Sequence, residues 1–73
     1  SDEKGVQGKV VVQFIVGVHG EILNPVVVKS VDPYLDKEAI RVISSMPKWK
    51  PGKQRGKAVR VKYTVPVVFR LQS

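Results

Sequence analysis

Lys57-Ala58-Val59-Arg60-Val61-Lys62-Tyr63-Thr64-Val65-Pro66-Val67-Val68-Phe69-Arg70-Leu71 alternates apolar and polar side chains almost without fault. Val59, Val61, Tyr63, Val65, Val67, Phe69 and Leu71 share one side, while Arg60, Lys62, Thr64, Pro66, Val68 and Arg70 share the other. A period of two is the signature of a strand. Pro66 then says where the strand goes. Proline has no backbone N–H, so within a sheet it is confined to edges, strand starts or bulges. A second run, residues 21–31, carries Pro25 and is sent to an edge by the same argument. A third run, residues 9–18, is rich in valine, contains Phe14 and Ile15, and has no proline. It takes the middle, giving the order two-one-three.

His19-Gly20 separates the first two strands. A two-residue loop favours a type I′ turn, which needs positive φ at both positions; glycine adopts it freely, and histidine is among the residues enriched there. That turn predicts the pairs Val18–Glu21, Val16–Leu23, Phe14–Pro25 and Val12–Val27 on one apolar face. Ile15–Asn24, Gln13–Val26 and Val11–Val28 fall on a mixed face. The apolar face should meet a helix.

Asp32-Pro33 reads as a helix start, aspartate at the N-cap and proline at the first helical position; a start capped by Asp36 is the alternative. Leu35, Ala39, Val42, Ile43 and Met46 recur at helical spacing. Pro47 ends the helix at or just before Met46. Residues 47–56 form a turn-rich, basic connection. The chain therefore reads as one α+β domain over residues 1–73. Its order is ββαβ: a three-stranded antiparallel sheet, order 2-1-3, with one helix on one face, the two edge strands joined by a right-handed crossover.

A chain of 73 residues buries roughly 60% of its unfolded surface, which leaves no room for a deep catalytic cavity. It has no cysteine and no apolar run near the ~20 residues of a membrane span. The formal net charge is +7, and from Ala39 onward every charged side chain is Lys or Arg. Such a distribution attracts polyanions or acidic peptides, or simply keeps the surface solvated.

No group of residues supports catalysis or metal binding. His19 is the sole histidine, in a turn, with no carboxylate pair at ligand spacing. Ser44 and Ser45 have no base to activate them. Gly52-Lys53-Gln54-Arg55-Gly56-Lys57-Ala58 fails as a phosphate loop: three residues separate the glycines instead of four, Ala58 stands where Ser or Thr is needed, and the order is helix then strand. Trp49 either closes the core beyond the helix or stands exposed as an interface anchor. Tyr63 has the apolar parity of its strand and reads as core with its hydroxyl at the rim. The last strand presents a long edge, partly blunted by Arg60, Lys62 and Pro66; it is either a protected edge or a place where an extended peptide adds a fourth strand.

Read together, Gly5-Val6-Gln7-Gly8-Lys9-Val10-Val11-Val12, Gly20, Leu35-Asp36, Pro47-Lys48-Trp49-Lys50-Pro51, Gly56-Lys57 and Val65-Pro66-Val67-Val68-Phe69 resemble the C-terminal domain of the TonB family. These are bacterial energy transducers that engage outer-membrane transporters. The resemblance covers nearly the whole chain, and the Pro-x-Trp-x-Pro…Gly-Lys segment is its most specific part. It implies a non-catalytic periplasmic domain without cofactor or metal, cut from a longer chain with an inner-membrane anchor and a proline-rich spacer. It implies that the TonB-box peptide of a transporter lies beside the final strand. The residues concerned would be Val59, Arg60, Val61, Lys62, Tyr63, Thr64 and Val65, with Trp49 and Lys50 nearby. Energy would arrive from an inner-membrane proton-driven motor through the anchor. Homologous domains can swap strands when cut short, which allows a homodimer as an artefact of truncation and leaves the oligomeric state open; no nucleic acid is expected. The Tyr-Pro pair that typically precedes the region matching residues 3–6 is missing.

Two other readings compete. The basic second half suits nucleic acid, but no aromatic-rich motif with glycines lies on a central strand and no Gly-x-x-Gly loop joins two helices. TonB-like domains also occur as sensor modules fused to membrane peptidases, which sequence upstream of Ser1 would decide.

Overall fold

The computed structural model describes residues 7–70. The elements are β1 (Gly8–Val16), β2 (Ile22–Lys29), α1 (Pro33–Ser45), β3 (Gly52–Gln54), β4 (Lys57–Val59) and β5 (Val61–Phe69). The expectations for residues 1–4, for the motif positions before Gln7 and for Leu71 lie outside the described residues. Both prolines do what their missing donors require. The main sheet has the order β2-β1-β5, antiparallel throughout, with proline-free β1 in the middle. The helix packs on one face, so the α+β arrangement read from the sequence is the one observed.

The core is built on one face of β1. Val10, Val12, Phe14 and Val16 are at most 1% exposed, and Leu35, Ala39 and Ile43 of α1 close over them. Those three helical positions recur every four residues and form one stripe along the helix. Val42 is half-buried, and Met46, counted with the stripe in the sequence, is exposed. The reason is local. The helix stops at Ser45, and Met46 has extended ψ at the C-cap, with Pro47 following. Asp32 is the N-cap: its carboxylate accepts from the Leu35 N–H at 3.0 Å. Asp36, the alternative start, serves the helix entry instead. Its carboxylate accepts from the Ser30 hydroxyl and from the Val31 N–H.

The β1–β2 connection differs from the expected type I′ turn. The Gly17 N–H donates to the Glu21 carbonyl at 2.8 Å and the Gly20 N–H to the Gly17 carbonyl at 3.0 Å, so three residues, not two, lie in the loop. Gly20 alone takes positive φ there, at 81°, and His19 does not. This is the three-residue hairpin loop with its left-handed glycine last. The odd loop shifts the pairing by one, to Val16–Ile22 and Ile15–Leu23. Left uncorrected, that slip would turn the whole of β2 inside out. Asn24 corrects it. Its φ is 49°, and it and Pro25 together oppose Phe14, a bulge that restores the expected pairs Gln13–Val26 and Val12–Val27. Ile22 and Val27, of opposite parity, consequently both pack against the core. A second shift beyond Val12 pairs Val11 with Lys29 instead of Val28.

The expected single strand over residues 57–71 is also revised. It is divided at Arg60 into β4 and β5, and β4 folds back on β3 as a separate two-stranded hairpin. The type I′ turn expected at His19-Gly20 is found here. Arg55 and Gly56 both have positive φ, 54° and 78°, between the paired Gln54 and Lys57. Its twist suits a tight antiparallel ribbon.

The Asp36 contacts make a pH prediction. The Ser30 hydroxyl first, and the Val31 and Asp32 backbone after it, hold the Asp36 carboxyl below its ordinary value of 3.8. A depressed folded value means that this contribution is present above 3.8 and is lost as pH falls through the lower folded value. Urea unfolding midpoints of the native chain and of Ser30→Ala should therefore be separated at neutral pH and converge in acid. A gap that is constant across pH contradicts the assignment.

Candidate functional site

The described residues enclose no cavity, so the surface offers edges and faces. β5 is paired on one side by β1, along nine rungs from Gly8–Phe69 to Val16–Val61. No described strand lies on its other side. Pro66 fixes which main-chain groups point where. It pairs with Val11 yet has no N–H to give, so this rung must be one whose main-chain groups turn away from β1. Alternation then settles the rest: Val61, Tyr63, Val65, Val67 and Phe69 direct N–H and C=O at β1. Lys62, Thr64 and Val68 direct theirs outward, and Pro66 leaves a gap in the outward donors.

The seven edge positions singled out in the sequence therefore divide. Lys62 and Thr64 carry outward main-chain groups and exposed side chains. Val61, Tyr63 and Val65 turn their main chains inward and their half-buried side chains to the helix side, where Tyr63 and Val65 pack against the core. Val59 is paired with Gly52, next in phase to the Gln54–Lys57 rung that flanks the turn, so its main chain faces β3. Arg60 stands between the two ladders with an exposed side chain.

Trp49 is half-buried and packs on the core. Its ring meets Phe14 edge-on, centroids 5.0 Å apart, and Tyr63 at 5.4 Å; Phe14 and Tyr63 lie 6.0 Å apart. Such pairs each add about 0.5–1.5 kcal/mol beyond area burial. The Trp49 Nε1 is buried without a hydrogen-bond partner among the described residues. The backbone holds the ring in place: the Trp49 N–H donates to the Gly20 carbonyl at 2.8 Å. A Cβ on Gly20 would lie 2.1 Å from the Trp49 carbonyl oxygen. Gly20 thus serves two purposes, the left-handed turn and the close passage of residues 48–49 beneath it. The sequence marks the glycine but nothing in it announces the second contact. Lys50, next to Trp49, is exposed.

At the same end, Glu21 caps its own turn by accepting from the His19 N–H at 2.9 Å. Its carboxyl is held below the usual range, first by its own backbone N–H, then by that of His19, with the Lys48 cation adding to the effect. His19 itself is exposed. On the open face of the sheet Val26, Val28 and Val68 are about half exposed. In the register Gln13, bonded to Thr64 at 3.3 Å, and Lys9 and Lys29 stand among them, so the valines are interspersed with polar groups.

An open edge on a mixed sheet-and-helix domain is shared by many folds. The family match is more specific: residues 1–71 match the Gram-negative bacterial TonB protein C-terminal family. The chain belongs to that family. No curated protein and no solved structure matches it. Membership makes this a TonB-like periplasmic domain of a protein-interaction family connected with transport. In this TonB-family domain the Pro-x-Trp-x-Pro segment is the part that joins helix, first hairpin and β5.

Gly20→Ala tests that junction. The left-handed backbone and the approach to Trp49 together predict a loss of about 2–4 kcal/mol. Denaturant unfolding followed by the fluorescence of Trp49 gives the value, and an unchanged midpoint contradicts the junction.

Proposed function

We propose that this domain takes an extended peptide, the TonB-box segment of an outer-membrane transporter, as a fourth strand on the outer edge of β5. The reading rests on the outward N–H and C=O groups of Lys62 and Thr64. Unpaired ladder groups on a strand firmly held from behind are the requirement for strand addition. Arg60 and Lys62 lie along that edge, and with the exposed Lys50 beside Trp49 they favour acidic partners during encounter. The domain performs no chemistry. In the full-length protein, tethered to the inner membrane, it passes on force from a proton-driven complex. A strand contact loaded along its length shares the load among several hydrogen bonds at once.

Parity supplies the experiment. Thr64→Pro removes an outward N–H that β1 does not use, as Pro66 already does two residues on, so the fold should survive. Affinity for a TonB-box peptide, titrated by amide shifts, should fall roughly tenfold or more for the lost bond and the proline ring. Tyr63→Pro removes a bond to β1 and should unfold the domain instead. Wild-type affinity in folded Thr64→Pro, or shifts confined to α1, contradicts edge binding.

A further inference from the structure

The hairpin of β3 and β4 is not needed to close the core. Its strands pack on each other and on little else, and Lys53, Gln54, Arg55, Gly56, Lys57 and Ala58 are all exposed. It also stands at one end of the molecule. α1 begins beside the end of β2 and returns to the β1–β2 turn, where Trp49 bonds Gly20. β3 starts just beyond that point. The longest dimension is 47 Å, whereas a nine-residue strand spans only about 30 Å; the hairpin lies past the strand ends and contributes to the difference.

Charge is graded along the same axis: three of the four described carboxylates lie at the far end, mixed with Lys9, Lys29 and Lys37, while the hairpin end is rich in cations. Asp32, Asp36 and Glu38 lie in the first turns of α1 at the opposite end, where they bond Leu35, Ser30, Val31 and Arg41. Glu21 is the remaining described carboxylate and is bound into its own turn. Among the described residues the only ion pair is Arg41–Glu38, so Lys53, Arg55 and Lys57 have no carboxylate partner there. Their directions differ. The Lys53–Ala58 and Gln54–Lys57 rungs are consecutive, which puts Lys53 and Lys57 on opposite faces of the ribbon, while Arg55 occupies its tip. A shaped protein surface would meet one face and leave the other cation in solvent. A broad anionic layer approached tip-first engages all three. The tip carries no large apolar or aromatic side chain, so the contact is electrostatic and does not require insertion.

We propose that the β3–β4 hairpin is a contact arm for an anionic phospholipid headgroup layer, and that the charge asymmetry of the domain presents it tip-first. This surface is separate from the β5 edge and does not depend on peptide docking there. A cation close to an anionic bilayer strengthens binding roughly fivefold, so three together are worth roughly a hundredfold.

The test is partition of the whole chain onto vesicles of phosphatidylcholine alone and of phosphatidylcholine mixed with phosphatidylglycerol. Binding should need the anionic lipid and weaken steeply with salt. The combined variant Lys53→Gln, Arg55→Gln, Lys57→Gln should bind roughly a hundredfold more weakly with an unchanged unfolding midpoint, because none of the three touches the core. Orientation is read separately. The chain has no cysteine, so a fluorophore on Gln54→Cys or on Val28→Cys reports one position; only the first should be quenched by a headgroup-attached quencher. Equal binding to neutral vesicles, wild-type binding by the triple variant, equal quenching at both positions, or binding of polyglutamate without binding of vesicles each overturns the proposal.

Discussion

Val10, Val12, Phe14 and Val16 share one face of β1 and are almost wholly withdrawn from water, and every other element is positioned by the need to keep them so. α1 lies across them with a stripe repeating every four residues. β2 and β5 flank the same strand, and their inward side chains complete the walls. A domain this small has one such centre. Moving β1 by a single residue would exchange its buried face for the one carrying Val11, Gln13 and Ile15.

That constraint explains why the first hairpin is irregular. A three-residue loop and a bulge at Asn24 are two departures that cancel, leaving Val27 opposite Val12 as the core demands. Asparagine is among the few side chains that tolerate the left-handed backbone such a bulge uses here. The junction at Gly20 has a comparable logic. The chain leaving the helix must cross the tip of the first hairpin to reach β3, and only a residue without Cβ lets it pass at this distance.

Much of this was legible in the sequence. The prolines placed β2 and β5 at the edges, because a missing donor has the same consequence in any sheet. Asp32-Pro33 and Pro47 framed the helix. The errors lay where local signals were ambiguous. Gly20 marks a turn, yet a glycine after His19 serves a two-residue or a three-residue loop equally well, and loop length decides parity for everything that follows. Asn24 sits in an otherwise regular strand, with a positive φ that its identity permits without requiring. The division at Arg60 escaped the alternation pattern because β4 and β5 keep the same period; the Arg55-Gly56 turn was its available sign, weaker than Asn-Gly. The proline pattern placed β5 at an edge of the sheet, as the strand order has it. Which residues face outward became clear only once Pro66 was seen opposite Val11. Trp49, left open between core and interface, is half-buried and packs its ring against Phe14 and Tyr63.

Pro66 has a consequence for how the molecule behaves among its own kind. A long uninterrupted border of donors and acceptors invites endless stacking of identical chains into fibres. One missing donor two-thirds of the way along β5 interrupts that template. The same break limits how many main-chain bonds any chain laid along this border could form.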